Sequence, residues 1–230
     1  LLIIFPFVLV ASLLGKVKGG NFIFKLCTLW VDIQLPLCGI FHKNYFEAPH
    51  NSFRQYVFVT NHISYMDIPV MLKAVRKQHF RILGKYEISK VPLFGYIYKY
   101  VVVMVDRGSS AKRAKSVREL KVVIRKGISI LMCPEGTFNE TGRPLKEFYD
   151  GAFKIAIETQ TSIKPILFLD TYDIMNYHSI FSIKPGKSRA VYLEEVSVKG
   201  LTLKDTKALK EKVYKRMEER LIFYKASWIK

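Results

Sequence analysis

Residues 56–67 read YVFVTNHISYMD, an apolar run that leads into a histidine and, five positions further, an aspartate. A short continuous apolar run is typical of a strand buried on both faces of a parallel sheet. Open α/β sheets bind their ligands where the strands end, so His62 lies where a catalytic imidazole would act. The Asp67 carboxylate could fix one ring nitrogen and leave the other to accept a proton. The alternative is a loop histidine followed by an N-terminal helix cap at Asp67.

A second apolar run, ISILMC at residues 128–133, leads into the sequence PEGT at residues 134–137. This order places the Glu135 carboxylate and the conformationally permissive Gly136 at the end of another predicted strand. An ordinary turn with a surface glutamate is the alternative interpretation.

Cations follow two further apolar runs, at Lys85 and at Arg107. Lysine and arginine are ordinarily exposed, so each of these residues, taken alone, is equally well explained as a solvated surface charge. The predicted helix 110–126 carries seven basic residues and one acidic residue. That imbalance exceeds what solubility requires and suits a phosphate-rich partner.

Strand-like and helix-like segments alternate from Gln55 onward, which predicts βαβ units. We therefore expect an α/β domain over residues 46–230, with a mostly parallel central sheet flanked by helices. The predicted strands are 55–60, 80–84, 100–105, 128–133, 163–169 and 189–195, and the predicted helices are 67–77, 91–99, 110–126, 149–159 and 204–224.

Two apolar stretches open the chain, at residues 1–15 and 22–41. The first is shorter than the ~20 residues that a spanning helix needs, and charged residues and a proline interrupt the second. With a turn at Gly19 and Gly20, they predict an apolar helical hairpin over residues 1–45 that lies in one leaflet of a membrane. The alternatives are a signal-peptide core and two helices that pack on the globular core.

Lysine and arginine total 37 residues against 19 acidic residues, and the resulting net charge of +18 indicates a polyanionic partner. The sequence has neither zinc-finger spacing nor the aromatic pattern of RNA-binding sheets, so no nucleic-acid partner is expected. Apolar segments flanked by lysine and arginine favour an anionic membrane surface instead.

The three cysteines, Cys27, Cys38 and Cys133, are an odd number without the spacing of a metal site. Buried, reduced thiols are therefore expected, which favours a cytosolic setting. Together with the apolar hairpin, this predicts a peripheral or monotopic protein on the cytoplasmic face of the cell membrane. Cys133 is an alternative candidate for a covalent nucleophile.

The order and spacing of these blocks resemble the glycerolipid acyltransferases of the lysophosphatidic acid acyltransferase type. That family carries an N-H-x-x-x-x-D block, a block ending in Arg, a P-E-G-T block and a later proline in an apolar strand. Phe138 departs from the family, which usually has Arg directly after P-E-G-T. The resemblance covers about residues 55–170, and its blocks match residues 61–67, 85–107, 134–137 and 164–166, with a family-like helix start at 151–154.

The resemblance implies an acyltransferase that moves a fatty acyl group from acyl-CoA or acyl carrier protein to the free hydroxyl of a lysophospholipid. The expected acceptor is 1-acylglycerol 3-phosphate, which gives phosphatidic acid, and this chemistry calls for no cofactor and no metal. Alternatives are another lyso-lipid, such as an aminoacyl lipid, and a basic module that binds nucleic acid or anionic membranes.

The family pattern also implies roles for individual residues. His62 is the expected general base and Asp67 its orienting partner, while Glu135 either accepts hydrogen bonds from acceptor hydroxyls or orders its loop. With Phe138 at the usual Arg position, Arg143 or Lys146 could supply the charge for the acceptor phosphate. The expected substrate-binding residues are Asn61, Lys85, Arg107, Glu135, Gly136 and Thr137.

Overall fold

One seven-stranded sheet organises the computed structural model, which describes residues 2–105, 110–179 and 181–230, with the backbone alone for 110–114. Its strands are β1 (Ile40–Phe46), β2 (Val57–Thr60), β3 (Phe80–Lys85), β4 (Val102–Val105), β5 (Ser129–Met132), β6 (Ile163–Phe168) and β7 (Gly186–Tyr192). The spatial order is β1-β7-β6-β2-β5-β3-β4, and every neighbouring pair is parallel except β6 with β7. The predicted mostly parallel α/β sheet is therefore confirmed.

Helices cover both faces of this sheet. Alternate residues of each strand point to opposite faces, so Phe58 and Leu131 enter a core with α1–α4, whereas Val59 and Ile130 enter a core with α5, α6 and α8. The helices are α1 (Phe5–Ser12), α2 (Gly20–Leu37), α3 (Asp67–Ala74), α4 (Phe94–Val101), α5 (Ser110–Arg125), α6 (Gly151–Glu158), α7 (Thr171–Ile174) and α8 (Thr206–Phe223), with 3₁₀ turns at Tyr86–Lys90 and Leu203–Asp205.

Strand β1 is the main element that the sequence did not predict. It pairs in parallel with β7 along its whole length and forms one edge of the sheet. Because β1 covers residues 40–46, it crosses the expected division between residues 45 and 46, and that division stays a prediction. Each of the six predicted strands is present, although β7 begins three residues earlier than expected, at Gly186.

The N-terminal helices α1 and α2 pack against each other, but the predicted turn at the two glycines is wrong. Gly19 and Gly20 have helical dihedrals, and the chain reverses at Gly15, whose φ is +76°. The paired glycines instead permit close approach, because a Cβ at Gly19 would lie 2.3 Å from the Ala11 carbonyl oxygen. A five-residue π-helical turn, Gly15–Gly19, leads directly into α2.

Helix α2 has one face in the core and one face outside it. Ile23, Phe24 and Val31 are buried against the sheet, whereas Leu29 and Ile33 are more than half exposed. The interpretation that this helix packs on the globular core therefore holds for its inner face, and the outer face presents apolar side chains to the surroundings. None of the helices in the described part of the chain has both the length and the hydropathy of a membrane span.

A buried arginine joins the sheet to the start of α2. Arg81 lies in β3, and its guanidinium donates to the Asn21 side-chain oxygen at 2.8 Å and to the carbonyls of Lys16 and Val17 at 3.3 and 3.4 Å. Burial lowers the pKa of Arg81 to about 10. Because these hydrogen bonds run from β3 to the π-helical turn and to α2, Arg81 fixes the N-terminal helices to the sheet.

Candidate active site

The candidate site lies where two neighbouring strands end. Strands β2 and β5 pair in parallel with Val59 opposite Met132. The segments that follow them therefore both begin at the carboxyl ends of the strands. His62 comes two residues after β2, and Glu135 comes three residues after β5. The sheet therefore brings together the two blocks that the sequence placed at strand ends.

His62 and Asp67 form a hydrogen-bonded pair. The distance between His62 Nδ1 and Asp67 Oδ2 is 2.7 Å, and Oδ2 also accepts the backbone N–H groups of Ile63 at 2.8 Å and Ser64 at 2.9 Å. Asp67 is fully buried as the first residue of α3, whereas the His62 side chain is 20% exposed. Because Nδ1 donates to the carboxylate, Nε2 is left as the acceptor.

Glu135 connects the two loops from inside. Its Oε1 accepts the backbone N–H of His62 at 2.8 Å, and its Oε2 accepts that of Lys146 at the same distance. The Asn139 N–H, in turn, donates to the His62 carbonyl at 2.8 Å. Burial raises the pKa of Glu135 to about 8, while the two backbone donors oppose that rise. Of the two expected roles for Glu135, the geometry matches the ordering of the loops.

Gly136 and Thr137 occupy different positions within the PEGT turn. Gly136 has a φ of +74°, which favours glycine, and its N–H donates to the Cys133 carbonyl at 3.0 Å. That N–H is therefore used by the turn, and the assignment of Gly136 to the substrate stays a prediction. Thr137 is exposed, and its hydroxyl accepts a hydrogen bond from Lys146 Nζ at 2.6 Å.

Asn61 is turned into the fold, and its assignment to the substrate stays a prediction. Its side chain is buried, its amide donates to the Phe168 carbonyl at 2.9 Å, and its amide oxygen accepts the Phe168 N–H at 2.8 Å. Both polar atoms are thereby committed to β6, where they hold the end of β2 in place.

Of the two cations expected to bind phosphate, Lys85 lies within the described residues and Arg107 does not. Lys85 is the exposed last residue of β3, and its carbonyl accepts the Tyr98 hydroxyl at 3.0 Å. Arg107 lies outside the described residues, so its assignment stays a prediction.

Phe138 packs on the histidine, a contact that the sequence did not predict. Its ring lies edge-on to the His62 ring, with centroids 4.5 Å apart, and edge-on to the Tyr65 ring at 4.8 Å. Aromatic pairs in this arrangement are favourable and geometrically specific. The signal in the sequence was the departure of Phe138 from the family pattern at the position directly after P-E-G-T.

Cys133 is poorly suited to be a nucleophile. Its thiol lies 3.3 Å from the Thr60 hydroxyl, and burial first, with the nearby Asp67 and Glu135 charges, raises its pKa well above the usual range. A thiol that resists ionisation is a weak nucleophile. In the part of the chain that the structure describes, no three metal-ligating side chains cluster together.

A buried carboxylate that holds a partly exposed imidazole by one ring nitrogen is an arrangement in which histidine can act as a general base. A family model described as Acyltransferase matches residues 43–169. The chain belongs to this acyltransferase family.

Individual relatives and one solved structure agree with this placement. The chain is 30% identical over 190 residues to the chloroplastic 1-acyl-sn-glycerol-3-phosphate acyltransferase of Arabidopsis thaliana, covering 81% of this chain and 51% of that protein. It is 29% identical over 142 residues to the 1-acyl-sn-glycerol-3-phosphate acyltransferase of Cocos nucifera, covering 61% and 45%. The chain thus spans about half the length of these curated relatives.

The fold is shared with a crystal structure from Thermotoga maritima. That structure is the 1-acyl-sn-glycerophosphate acyltransferase PlsC, and the TM-score is 0.75 at 23% sequence identity. The similarity covers 98% of this chain and 90% of the other, so it includes the N-terminal helices as well as the sheet.

Proposed function

We propose that this protein transfers a fatty acyl group from a thioester to the free hydroxyl of 1-acylglycerol 3-phosphate, giving phosphatidic acid. The observation that carries the proposal is the His62–Asp67 pair at the end of β2, in which the carboxylate binds Nδ1 and the histidine side chain is 20% exposed. The names of the similar proteins in Arabidopsis and Cocos support this acceptor. Acyl-CoA and acyl carrier protein both present the thioester that the reaction needs.

The proposed reaction is a direct transfer. His62 Nε2 takes the proton of the acceptor hydroxyl as its oxygen attacks the thioester carbonyl carbon, and Asp67 stabilises the imidazolium that forms. The resulting tetrahedral intermediate collapses as the C–S bond breaks. The imidazolium then returns its proton to the departing thiolate, so no acyl-enzyme is needed.

Several residues are proposed to hold the acceptor. Thr137 presents an exposed hydroxyl on the same loop as Glu135, and Lys85 presents an exposed cation at the end of β3. Arg107 is proposed for the acceptor phosphate, since a guanidinium binds phosphate through paired hydrogen bonds.

The outer faces of α1 and α2 are proposed to dock on the cytoplasmic face of the cell membrane. Leu13, Phe22, Leu29 and Ile33 are exposed there, and contiguous exposed apolar surface often marks a membrane contact. The net charge of +18 suits an anionic leaflet. An enzyme placed in this way takes its acceptor directly from the lipid.

The test is an acyl-transfer assay with purified protein. Labelled acyl-CoA or acyl carrier protein is offered with a panel of lyso-lipids, and the released thiol is measured. Turnover of 1-acylglycerol 3-phosphate is the expected result. Preferred turnover of a zwitterionic or aminoacyl lyso-lipid, which Phe138 at the family's Arg position favours, would show that this lipid is the acceptor instead. Salt-sensitive DNA binding without thiol release would refute the proposed acyltransferase activity.

A further inference from the structure

The Lys146 ammonium group is held on the loop that contacts the candidate histidine. Lys146 Nζ donates to Thr137 Oγ1 at 2.6 Å and to the Phe138 carbonyl at 3.4 Å. Phe138 in turn contacts the His62 imidazole with its ring. The charge of Lys146 is therefore held on the backbone of the residue that touches the proposed base.

The position of this lysine is fixed by the same carboxylate that fixes the histidine. Glu135 accepts the N–H of His62 with one oxygen and the N–H of Lys146 with the other, each at 2.8 Å. Because both bonds lie inside the protein, the backbones of the base and of the lysine cannot move independently. The side chain of Lys146 then turns back over the loop toward Thr137.

The ammonium group has capacity for a further partner. It carries three donors, of which the Thr137 hydroxyl and the Phe138 carbonyl take two. Within the described residues, no carboxylate forms a salt bridge with Lys146. An anion could therefore accept from Lys146 Nζ and from the Thr137 hydroxyl together.

The neighbouring cations are less well placed. Arg143 is anchored to the loop through its backbone, because its carbonyl accepts the Asn139 side-chain amide at 2.8 Å and its N–H donates to the Thr141 hydroxyl at 3.2 Å. Lys85 ends β3, which is separated from β2 by β5, and two strand spacings are about 10 Å. Phe138 has no charge to offer.

We infer that the Lys146 ammonium group, with the Thr137 hydroxyl, binds the phosphate of the acceptor in addition to Arg107, the cation proposed above, an assignment that rests on the proposed function. In this arrangement Phe138 packs on the imidazole, and Lys146, eight residues further along the same loop, supplies the positive charge for the phosphate. The short glycerol backbone between phosphate and free hydroxyl places that hydroxyl toward His62. Lys146 is thus a specificity residue for phosphate-bearing acceptors.

The test compares two acceptors in neutral detergent micelles, 1-acylglycerol 3-phosphate and 1-acylglycerol with the same acyl chain. Lys146→Met should raise KM for the phosphate-bearing acceptor about 10- to 100-fold, which is the range for a charged hydrogen bond, and leave the phosphate-free acceptor nearly unchanged. Lys146→Arg should restore most of the loss. Lys199→Met removes the same charge from an exposed turn whose neighbour Gly200 bonds to Gln160 after α6, and it should change neither value.

If Lys146→Met raised KM equally for both acceptors, Lys146 would only order the loop. If KM stayed unchanged for both, another cation would bind the phosphate. Either outcome overturns the assignment. A wild-type protein that acylates neither acceptor would instead refute the proposed function. Calorimetric binding of glycerol 3-phosphate then decides for Lys146: binding weakened at least tenfold by Lys146→Met supports the assignment, and no binding by the wild-type protein refutes it.

Discussion

The carboxylate of Glu135 accepts the backbone N–H of His62 at 2.8 Å, and this bond joins the loop after β5 to the loop after β2. The second oxygen of Glu135 accepts the Lys146 N–H, so a single buried side chain sets the relative position of both segments. The orientation of the proposed base therefore depends on a residue that need not touch the substrate.

Glu135→Gln should impair both stability and turnover. Glutamine keeps the shape but turns one acceptor into a donor, so it faces the N–H of either His62 or Lys146 without a hydrogen bond. Such a buried mismatch costs about 1–3 kcal/mol in the free energy of unfolding, and kcat should fall at least ~10-fold as the imidazole loses its fixed position. Urea denaturation and acyl-transfer assays measure the two effects. Glu147→Gln, an exposed change in the same loop, is the matched control and should leave both values near wild type.

The raised pKa of Glu135 predicts a pH dependence of stability. Burial moves this pKa from its ordinary value of 4.5 to about 8, so between these values the folded protein binds a proton that the unfolded chain has lost. The contribution of Glu135 is then fully present below pH ~4.5 and is lost as the pH rises through about 8, with a slope of up to about 1.4 kcal/mol per pH unit. Urea denaturation between pH 5.5 and 7.5 should show a smaller decline for Glu135→Gln than for wild type. Parallel curves would contradict the prediction.

His62→Ala and Asp67→Asn should each abolish most acyl transfer. Loss of a general base costs about 10²–10⁴-fold in rate, and an asparagine at position 67 can no longer stabilise the imidazolium. Single-turnover thiol release measures the chemical step, and circular dichroism verifies the fold. A His62→Ala variant that retained a tenth of the wild-type kcat would rule out general-base catalysis by this residue.

Phe138→Ala should lower kcat by about 3- to 10-fold. Its edge-on contact with His62 resembles pairs worth about 0.5–1.5 kcal/mol, and its loss lets the imidazole leave the productive orientation. Phe138→Arg should lose the same contact but bring a further cation to the loop, which lowers KM for 1-acylglycerol 3-phosphate. The control is Phe181→Ala, because Phe181 is 87% exposed and its removal should leave kcat unchanged. Equal kcat values for wild type and Phe138→Ala would show that the ring contact does not orient the base.

Replacing Phe22, Leu29 and Ile33 by serine should weaken binding to anionic vesicles. These side chains are exposed on α2, and at about 1 kcal/mol for each partly inserted side chain the three together correspond to roughly a 100-fold loss in partitioning. Vesicle flotation measures the change, and thermal unfolding should stay near wild type. Phe53→Ser is the control, since that phenylalanine is almost fully exposed before the start of β2.

Substitution is preferable to truncation for this test. Removing residues 1–41 would also remove the buried Ile23, Phe24 and Val31, whose loss opens the core under the sheet. Vesicle binding of the serine variant at the wild-type level would exclude the outer face of α2 as a membrane contact.

The central strands could be predicted from the sequence because they are buried on both faces and therefore read as continuous apolar runs. The edge strand β1 could not be predicted, because Ile40 is buried whereas later residues such as Lys43 are exposed. It also follows the apolar run of α2 directly. A strand that pairs on one side only has a weaker hydrophobic pattern. The turn at Gly19 and Gly20 was wrong because glycine is equally useful for close helix packing.

The His62–Asp67 pair was predictable because the two residues are only five positions apart, between the end of one strand and the start of one helix. The directions in which the side chains of Asn61 and Glu135 point could not be predicted. Asn61 turns inward to bond Phe168, 107 positions away, and Glu135 turns inward to bond His62, 73 positions away. Local sequence patterns carry no information on such distant partners, so the bonds by which these two side chains join the segments could not be predicted.

The guanidinium of Arg81 has a consequence for how the enzyme would work at a bilayer. It ties the sheet to the turn at the start of α2, and the inner face of α2 packs in the same core as β2 and β3. Under the proposed docking of α1 and α2 on a membrane, this shared core would set the height and tilt of His62 above the lipid. The lyso-lipid would then have to rise toward the headgroup plane to meet the base.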